Sequence, residues 1–178
     1  HAGFLVDPQN NELGNTFKMH KLASRNDALD RFIVALDYLF NRYDNIKFYI
    51  ENNVLSLNNF EKYNRINPFL LTSYKDYLEI YSRVKFNLLL DIAHLKVSCK
   101  TLNLDLNEEL ASLISITDYI HISDNDGIED GNHPISKNSK LFKLLSEHDL
   151  QNKIVTLEIK SEIKEIVSVY ELISDMIK

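Results

Sequence analysis

Four short apolar runs in this chain each stop at a carboxylate or an imidazole: "FYI" at Glu51, "LLL" at Asp91, "YI" at His121 and "VTL" at Glu158. A charged or strongly hydrogen-bonding side chain set among aliphatics is costly to bury unless something satisfies it. The cost recurs at steps of 40, 30 and 37 residues. Steps of that length hold one strand, one or two helices and their loops, so they predict repeated βα units and a parallel sheet. Parallel strands in a barrel bring all their C-terminal ends to one face, where these four side chains would meet. In an open doubly wound sheet they would be spread along an edge crevice instead.

The segments between these runs carry helical periodicity. Ser24 and Asp27 fit a capping pattern, and Leu29, Phe32, Ile33, Leu36, Leu39 and Phe40 follow at helical spacing. Further helices are expected over 72–82, 106–116 and 140–147. A last one follows Ser161, with Ile163, Ile166, Val167, Tyr170, Ile173 and Ile177 on one face. Strands are expected over 46–53, 86–94, 119–124 and 153–160. The first twenty residues read as a strand end followed by a long polar loop. His1 is then a candidate fifth strand terminus, 50 residues before Glu51.

Composition excludes several classes of function. At 178 residues and 44% hydrophobic content, the chain suits one domain with a sizeable core. A net charge of -6 with no Lys/Arg cluster argues against a phosphate-neutralising nucleic-acid binder. Cys99 is the only cysteine, so an internal disulfide and a thiolate metal cage are both excluded. A cytoplasmic setting is the expectation, with no apolar run of membrane-spanning length and no visible signal peptide. The first residue is His rather than Met, as in a processed chain or a piece of a longer one.

Two Glu, one Asp and one His form a hard-leaning nitrogen and oxygen donor set. It suits Mn²⁺, Mg²⁺, Co²⁺ or Zn²⁺ and does not choose among them. A metal so held polarises a carbonyl or phosphoryl oxygen, and two carboxylates beside it can act as acid and base. Plainer roles compete at each position: a helix cap for Glu51, a satisfied core imidazole for His121, a buried ion pair for Glu158. The stretch "YIHISDNDGIEDGNHPI" (119–135) adds four acidic residues and His133. A solvated acidic turn explains its acids but not its histidines. Asn52 and Asn53 read either as substrate-orienting groups or as ordinary turn residues. Lys96 reads as a solvated lysine, Cys99 as a small buried residue, and His20 and His148 as surface residues.

The motifs "IENN", "LLLDIAHLKVS", "YIHISDNDG" with the following Asp and His, and "IVTLEI", in this order, resemble the xylose-isomerase-like barrel superfamily. That superfamily includes sugar isomerases, ketose epimerases and metal-dependent apurinic-site endonucleases. The resemblance runs over residues 1–178 and implies a (β/α)8 TIM barrel of which only strands four to eight are present. The chain would then be the C-terminal part of a single barrel domain. His1 and Gly3 match the end of strand four, and Glu51, Asp91, His121 and Glu158 end strands five to eight. The resemblance implies that these last four bind one divalent metal, with Glu51 and Glu158 also serving as the acid/base pair. His94, Asn53 and His1 are then expected at the substrate. On the endonuclease pattern, His1, His94, Asp130 and His133 are additional candidate metal ligands. Asp130 and His133 stand three apart, where that pattern has two, and "HPISKNS" replaces the usual glycine-rich turn.

The expected function is divalent-metal-dependent isomerisation or epimerisation of a sugar or sugar derivative by enediolate proton transfer. The alternatives are zinc-dependent apurinic-site cleavage and a non-catalytic, degenerate barrel. The expected partner is a small-molecule sugar, without nucleic acid or membrane. Either the missing N-terminal part of the barrel or a homodimer would cover the open side.

Overall fold

A computed structural model describes residues 3–5, 21–43 and 45–177. The element order is α1 (Arg25–Arg42), β1 (Tyr49–Glu51), α2 (Leu57–Lys62), α3 (Tyr74–Arg83), β2 (Asn87–Asp91), α4 (Ile92–Leu102), α5 (Leu106–Ile114), β3 (Tyr119–Ile122), α6 (Lys140–Leu145), β4 (Ile154–Leu157) and α7 (Ile163–Ile177). The four strands form one parallel sheet in the order β1-β2-β3-β4. Sequential parallel strands joined through helices are the βα repeat that the step lengths predict.

The pleat divides the strand residues into two sets. Ile50, Leu88, Leu90, Ile120 and Ile122 are buried and belong to one core with Leu29 and Leu36 of α1, Ile80 of α3, Leu95 of α4, Leu110 of α5, Leu145 of α6 and Ile173 of α7. The opposite set contains Tyr49, Leu89, Tyr119 and Ile154; the register joins Glu51, Leu89, Tyr119 and Ile154 in one row and pairs Tyr49 with Asn87. That face is only half covered, and Ile154 is 53% exposed. Glu51, Asp91 and His121 share its parity, so alternation alone turns them away from the helices.

Local chemistry fixes where helices begin. Ser24, Ser56, Ser73 and Ser139 cap α1, α2, α3 and α6, and Asp91 and Asp105 cap α4 and α5. The run expected as a strand over 86–94 therefore divides at Asp91. Its side chain accepts from the His94 amide and starts a helix where the apolar pattern suggests more strand. The expected strand at 46–53 contracts to three residues, and α2 carries too short a pattern to be expected. Arg25 ties α1 to α3 through Asp76 and Glu79, each at 2.6 Å.

His1, His20 and most of the expected N-terminal loop lie outside the described residues. Gly3, expected at the end of strand four, offers its carbonyl to the Leu70 amide at 2.9 Å, in the segment between α2 and α3. No helix among the described residues is long and apolar enough to cross a membrane.

Leu90 is fully buried between strand neighbours and helices, whereas Val34 on α1 is 68% exposed. Leu90→Ala is expected to cost about 2–5 kcal/mol in urea denaturation, and Val34→Ala about 0.5 kcal/mol or less.

Candidate functional site

The parallel sheet delivers Glu51, Asp91 and His121 to one edge, and Glu158 follows β4 directly, its amide bonded to the Ile122 carbonyl at 3.2 Å. One ligand atom from each of these four residues lies within 4.8 Å of the other three. The His121 Nδ1 atom faces Glu158 Oε2 at 2.8 Å, Glu51 Oε1 at 3.5 Å and Asp91 Oδ2 at 3.8 Å. One ring nitrogen cannot donate to three carboxylates at once. A divalent cation among them can accept from all four, and the donor set fits such an ion.

Asp91 is the strongest evidence for that fit. Its side chain is 1% exposed, and its Oδ2 atom, the one aimed at His121, is buried with no hydrogen-bond partner. Such an orphaned carboxylate oxygen is expensive unless an ion occupies the gap. Its other oxygen accepts from the His94 amide at 2.7 Å. Asn52 locks the Asp91 backbone from both sides: its Oδ1 accepts from the Asp91 amide at 2.7 Å, and its Nδ2 donates to the Asp91 carbonyl at 3.0 Å. Asn52 is thus a positioning group for Asp91, a role that its place in an "ENN" turn does not disclose.

The titration of the group follows from burial and crowding. Burial pushes the Asp91 carboxyl up to about 6, reinforced by Glu51 and Asp130 and opposed by the His94 charge. Burial also disfavours charge on His94, but Asp91, Asp130 and the Asn52 carbonyl overcome it and raise the imidazole to about 9. Both ring nitrogens face acceptors, Asn52 O at 2.9 Å and Asp130 Oδ2 at 3.3 Å, which suits an imidazolium donating on each side. Burial likewise opposes charge on His121, yet the surrounding Glu51, Asp91 and Glu158 raise it above its ordinary value. For Glu51, the nearby imidazoles outweigh burial and hold the carboxyl below its usual range.

The remaining expected site residues are distributed differently. His94 and Asp130 meet each other, but His133 does not join a ligand group with them. Among the described residues, the four-residue cluster alone gathers three or more metal-capable side chains. His133 instead pairs its backbone with Asp124, and its ring lies so close over Gly131 that a Cβ there would meet Nε2 at 2.7 Å. Asn53 donates its side-chain amide to the carbonyl oxygens of Leu70 at 2.8 Å and Gly3 at 3.4 Å. His1 lies outside the described residues. Lys96 is not a free solvated lysine: its ammonium reaches Asp124 Oδ1 at 2.5 Å and also the Asn125 carbonyl. Asn125 in turn donates to the Ala93 carbonyl at 2.9 Å. The acidic loop is thereby stitched to α4, beside the cluster. Cys99 is buried as expected, and burial pushes its thiol up to about 12.

The sequence matches no family model and no curated relative. Solved structures do share the fold. A D-tagatose 3-epimerase-like protein superposes with a TM-score of 0.62 at 18% identity, over 84% of this chain and 54% of its own. The 3-keto-D-glucoside 4-epimerase YcjR from E. coli gives 0.56 at 13% identity, over 89% of this chain and 56% of its own. A provisionally assigned xylose isomerase from Rhodospirillum rubrum gives 0.55 at 16% identity, over 83% and 53%. The chain spans about half the length of these structures. Its parallel βα sheet shares the fold of about half of each of them, consistent with the partial barrel expected from the sequence motifs.

Protons compete with a metal for Asp91 and His121, both of which hold a proton to higher pH than usual. Affinity for Mn²⁺, read by calorimetry, is therefore expected to rise steadily from about pH 5 to pH 8. Asp91→Asn should weaken it by about 100-fold or more while the far-ultraviolet spectrum is retained.

Proposed function

We propose that this chain is part of a divalent-metal-dependent isomerase or epimerase that acts on a sugar or sugar derivative through an enediolate. The observation that carries the reading is the convergence of three carboxylates and one imidazole at the C-terminal edge of a parallel sheet, on a fold shared with the structures of an epimerase-like protein, an epimerase and a provisionally assigned xylose isomerase. Fold alone does not decide chemistry; the cluster supports it because it joins a metal-holding set to two candidate acid/base groups.

Glu51, Asp91, His121 and Glu158 would hold the ion. When bound, it would polarise the substrate carbonyl and make the adjacent C–H acidic. Glu158, whose side chain is 44% exposed, would take or return the proton at that carbon. Glu51, 16% exposed, lies deeper and serves as its counterpart. Which glutamate removes the proton follows from the configuration of the substrate carbon. His94, fixed through both nitrogens, stands beside Glu51 at 3.9 Å and supplies a cationic wall toward substrate oxygens. Asp91 and His121 would hold the ion without taking part in proton transfer.

The geometry gives less support to a three-metal nuclease centre, since His133 is turned onto Gly131 rather than toward His94 and Asp130. A degenerate barrel would not need to keep an orphaned, buried Asp91 oxygen at the centre of its ligand group.

Proton transfer through a side chain exchanges with water. With Mn²⁺, Mg²⁺, Co²⁺ or Zn²⁺ present, deuterium from solvent should appear at the carbon next to the carbonyl of a turned-over ketose, read by proton NMR. Glu158→Gln should slow that exchange by about 10²–10⁴-fold without releasing the fold. Conversion with full retention of the substrate hydrogen would exclude the enediolate route.

A further inference from the structure

Two neighbouring helices of unequal length leave a gap at the N-terminal end of the sheet. α1 has 18 residues and α3 has 10, so α1 is longer by about 12 Å. The early turns of α1 are the ones that lie against α3. Arg25 pairs with Asp76 and Glu79, each at 2.6 Å, and Asp30 pairs with Arg83, the last residue of α3. The surplus turns of α1 therefore overhang the end of α3.

Under that overhang lies a cleft of about 350 Å³. Small-molecule pockets run from roughly 300 to 1,000 Å³. The aromatic lining falls into two groups. Phe48 stands 6.0 Å from Phe40 and 6.1 Å from Tyr43, and Tyr81 stands 6.1 Å from Phe86. No ring contact joins one group to the other among the described residues. Asn87 ties the two segments together by donating its Nδ2 to the Phe48 carbonyl at 2.9 Å. A gap between two ring groups suits a flat apolar ring, which can meet each of them edge-on or offset.

The charge of the cleft selects the other end of the ligand. Two lysines line it. Lys47 is matched by Asp118 at 2.6 Å. Lys85 is not matched: its ammonium donates to the Tyr81 carbonyl at 3.0 Å, stands 3.8 Å from the Tyr81 ring centroid and meets no carboxylate among the described residues. An ammonium has three donors, so Lys85 keeps two for a ligand. On a chain of net charge -6, this spot carries one uncompensated positive charge beside apolar rings. The cleft is also separate from the cluster of Glu51, Asp91, His121 and Glu158. Asn87 begins β2 and Asp91 ends it, about 13 Å along the strand. Barrel enzymes do their chemistry at the C-terminal strand ends and use the other face for stability. An open aromatic gap with a spare ammonium contributes nothing to stability.

We propose that this cleft is a second binding site, for a small planar aromatic carboxylate, with the ring held between the two aromatic groups and the carboxylate on Lys85.

Calorimetric titration of the metal-free protein with 2-naphthoate and with uncharged 2-naphthalenemethanol tests it. Leaving the metal out keeps the carboxylate from binding through an ion at the cluster. Naphthoate is expected to bind about five- to tenfold tighter than the alcohol. Lys85→Met should remove that margin and leave the affinity for the alcohol unchanged. Tyr43→Ala should weaken both ligands severalfold, and neither variant should alter Mn²⁺ affinity. Equal affinity for the two ligands, or no binding of either, would overturn the inference. So would a naphthoate affinity that both variants leave unchanged, which would place the ring on the open face of the sheet instead. None of these results bears on the isomerase or epimerase reading, which rests on the opposite end of the strands.

Discussion

A carboxylate with almost no exposed surface stands where a strand becomes a helix, and one of its oxygens has no protein partner. Asp91 joins the fold to the site. One oxygen caps α4 through the His94 amide, which fixes the start of that helix and the position of the His94 ring. The other points into the gap shared with Glu51, His121 and Glu158. Asn52 clamps the same backbone from the neighbouring strand end, so β1 and β2 meet in a fixed relation. A buried group that caps a helix and leaves one oxygen unsatisfied is costly in a protein without a ligand. An ion in that gap would offset the cost.

The parallel sheet supplies the rest of the site by symmetry of direction. Each strand has its hydrophobic set turned to the helices and its ligand-bearing set turned to the open face. The C-terminal edge then gathers residues far apart in sequence without any long loop having to fold onto them. The half-covered inner face, with Tyr49, Leu89 and Ile154, is what an incomplete barrel presents, in keeping with a chain half as long as the structures it matches.

Much of this is legible in the sequence because the same device repeats. Apolar runs that stop at Glu51, Asp91, His121 and Glu158 disclose strand ends, and their spacing discloses the intervening helices. The onset of α4 is hidden because "LLLDIAHL" is apolar on both sides of Asp91, so periodicity alone cannot place the switch from strand to helix. The role of Asn52 is hidden because it acts through backbone hydrogen bonds to a residue 39 positions away. Lys96 looks solvated because its partners, Asp124 and Asn125, come from the next βα unit. The acidic stretch after His121 has a plain physical reason: Asp124, Asn125 and Asp126 satisfy the loop's own amides and the lysines of α4, and Asp130 holds His94.

The central claim is that one divalent ion sits among these four side chains with a single imidazole in its coordination shell. Electron spin-echo modulation spectroscopy of the Mn²⁺-loaded protein tests it directly, since a coordinated imidazole imprints its nitrogen frequencies on the manganese signal. Nitrogen modulation from one imidazole, lost in His121→Gln and retained in His133→Gln, is the result expected. A manganese signal without nitrogen modulation, or one that His121→Gln leaves unchanged, would contradict the account.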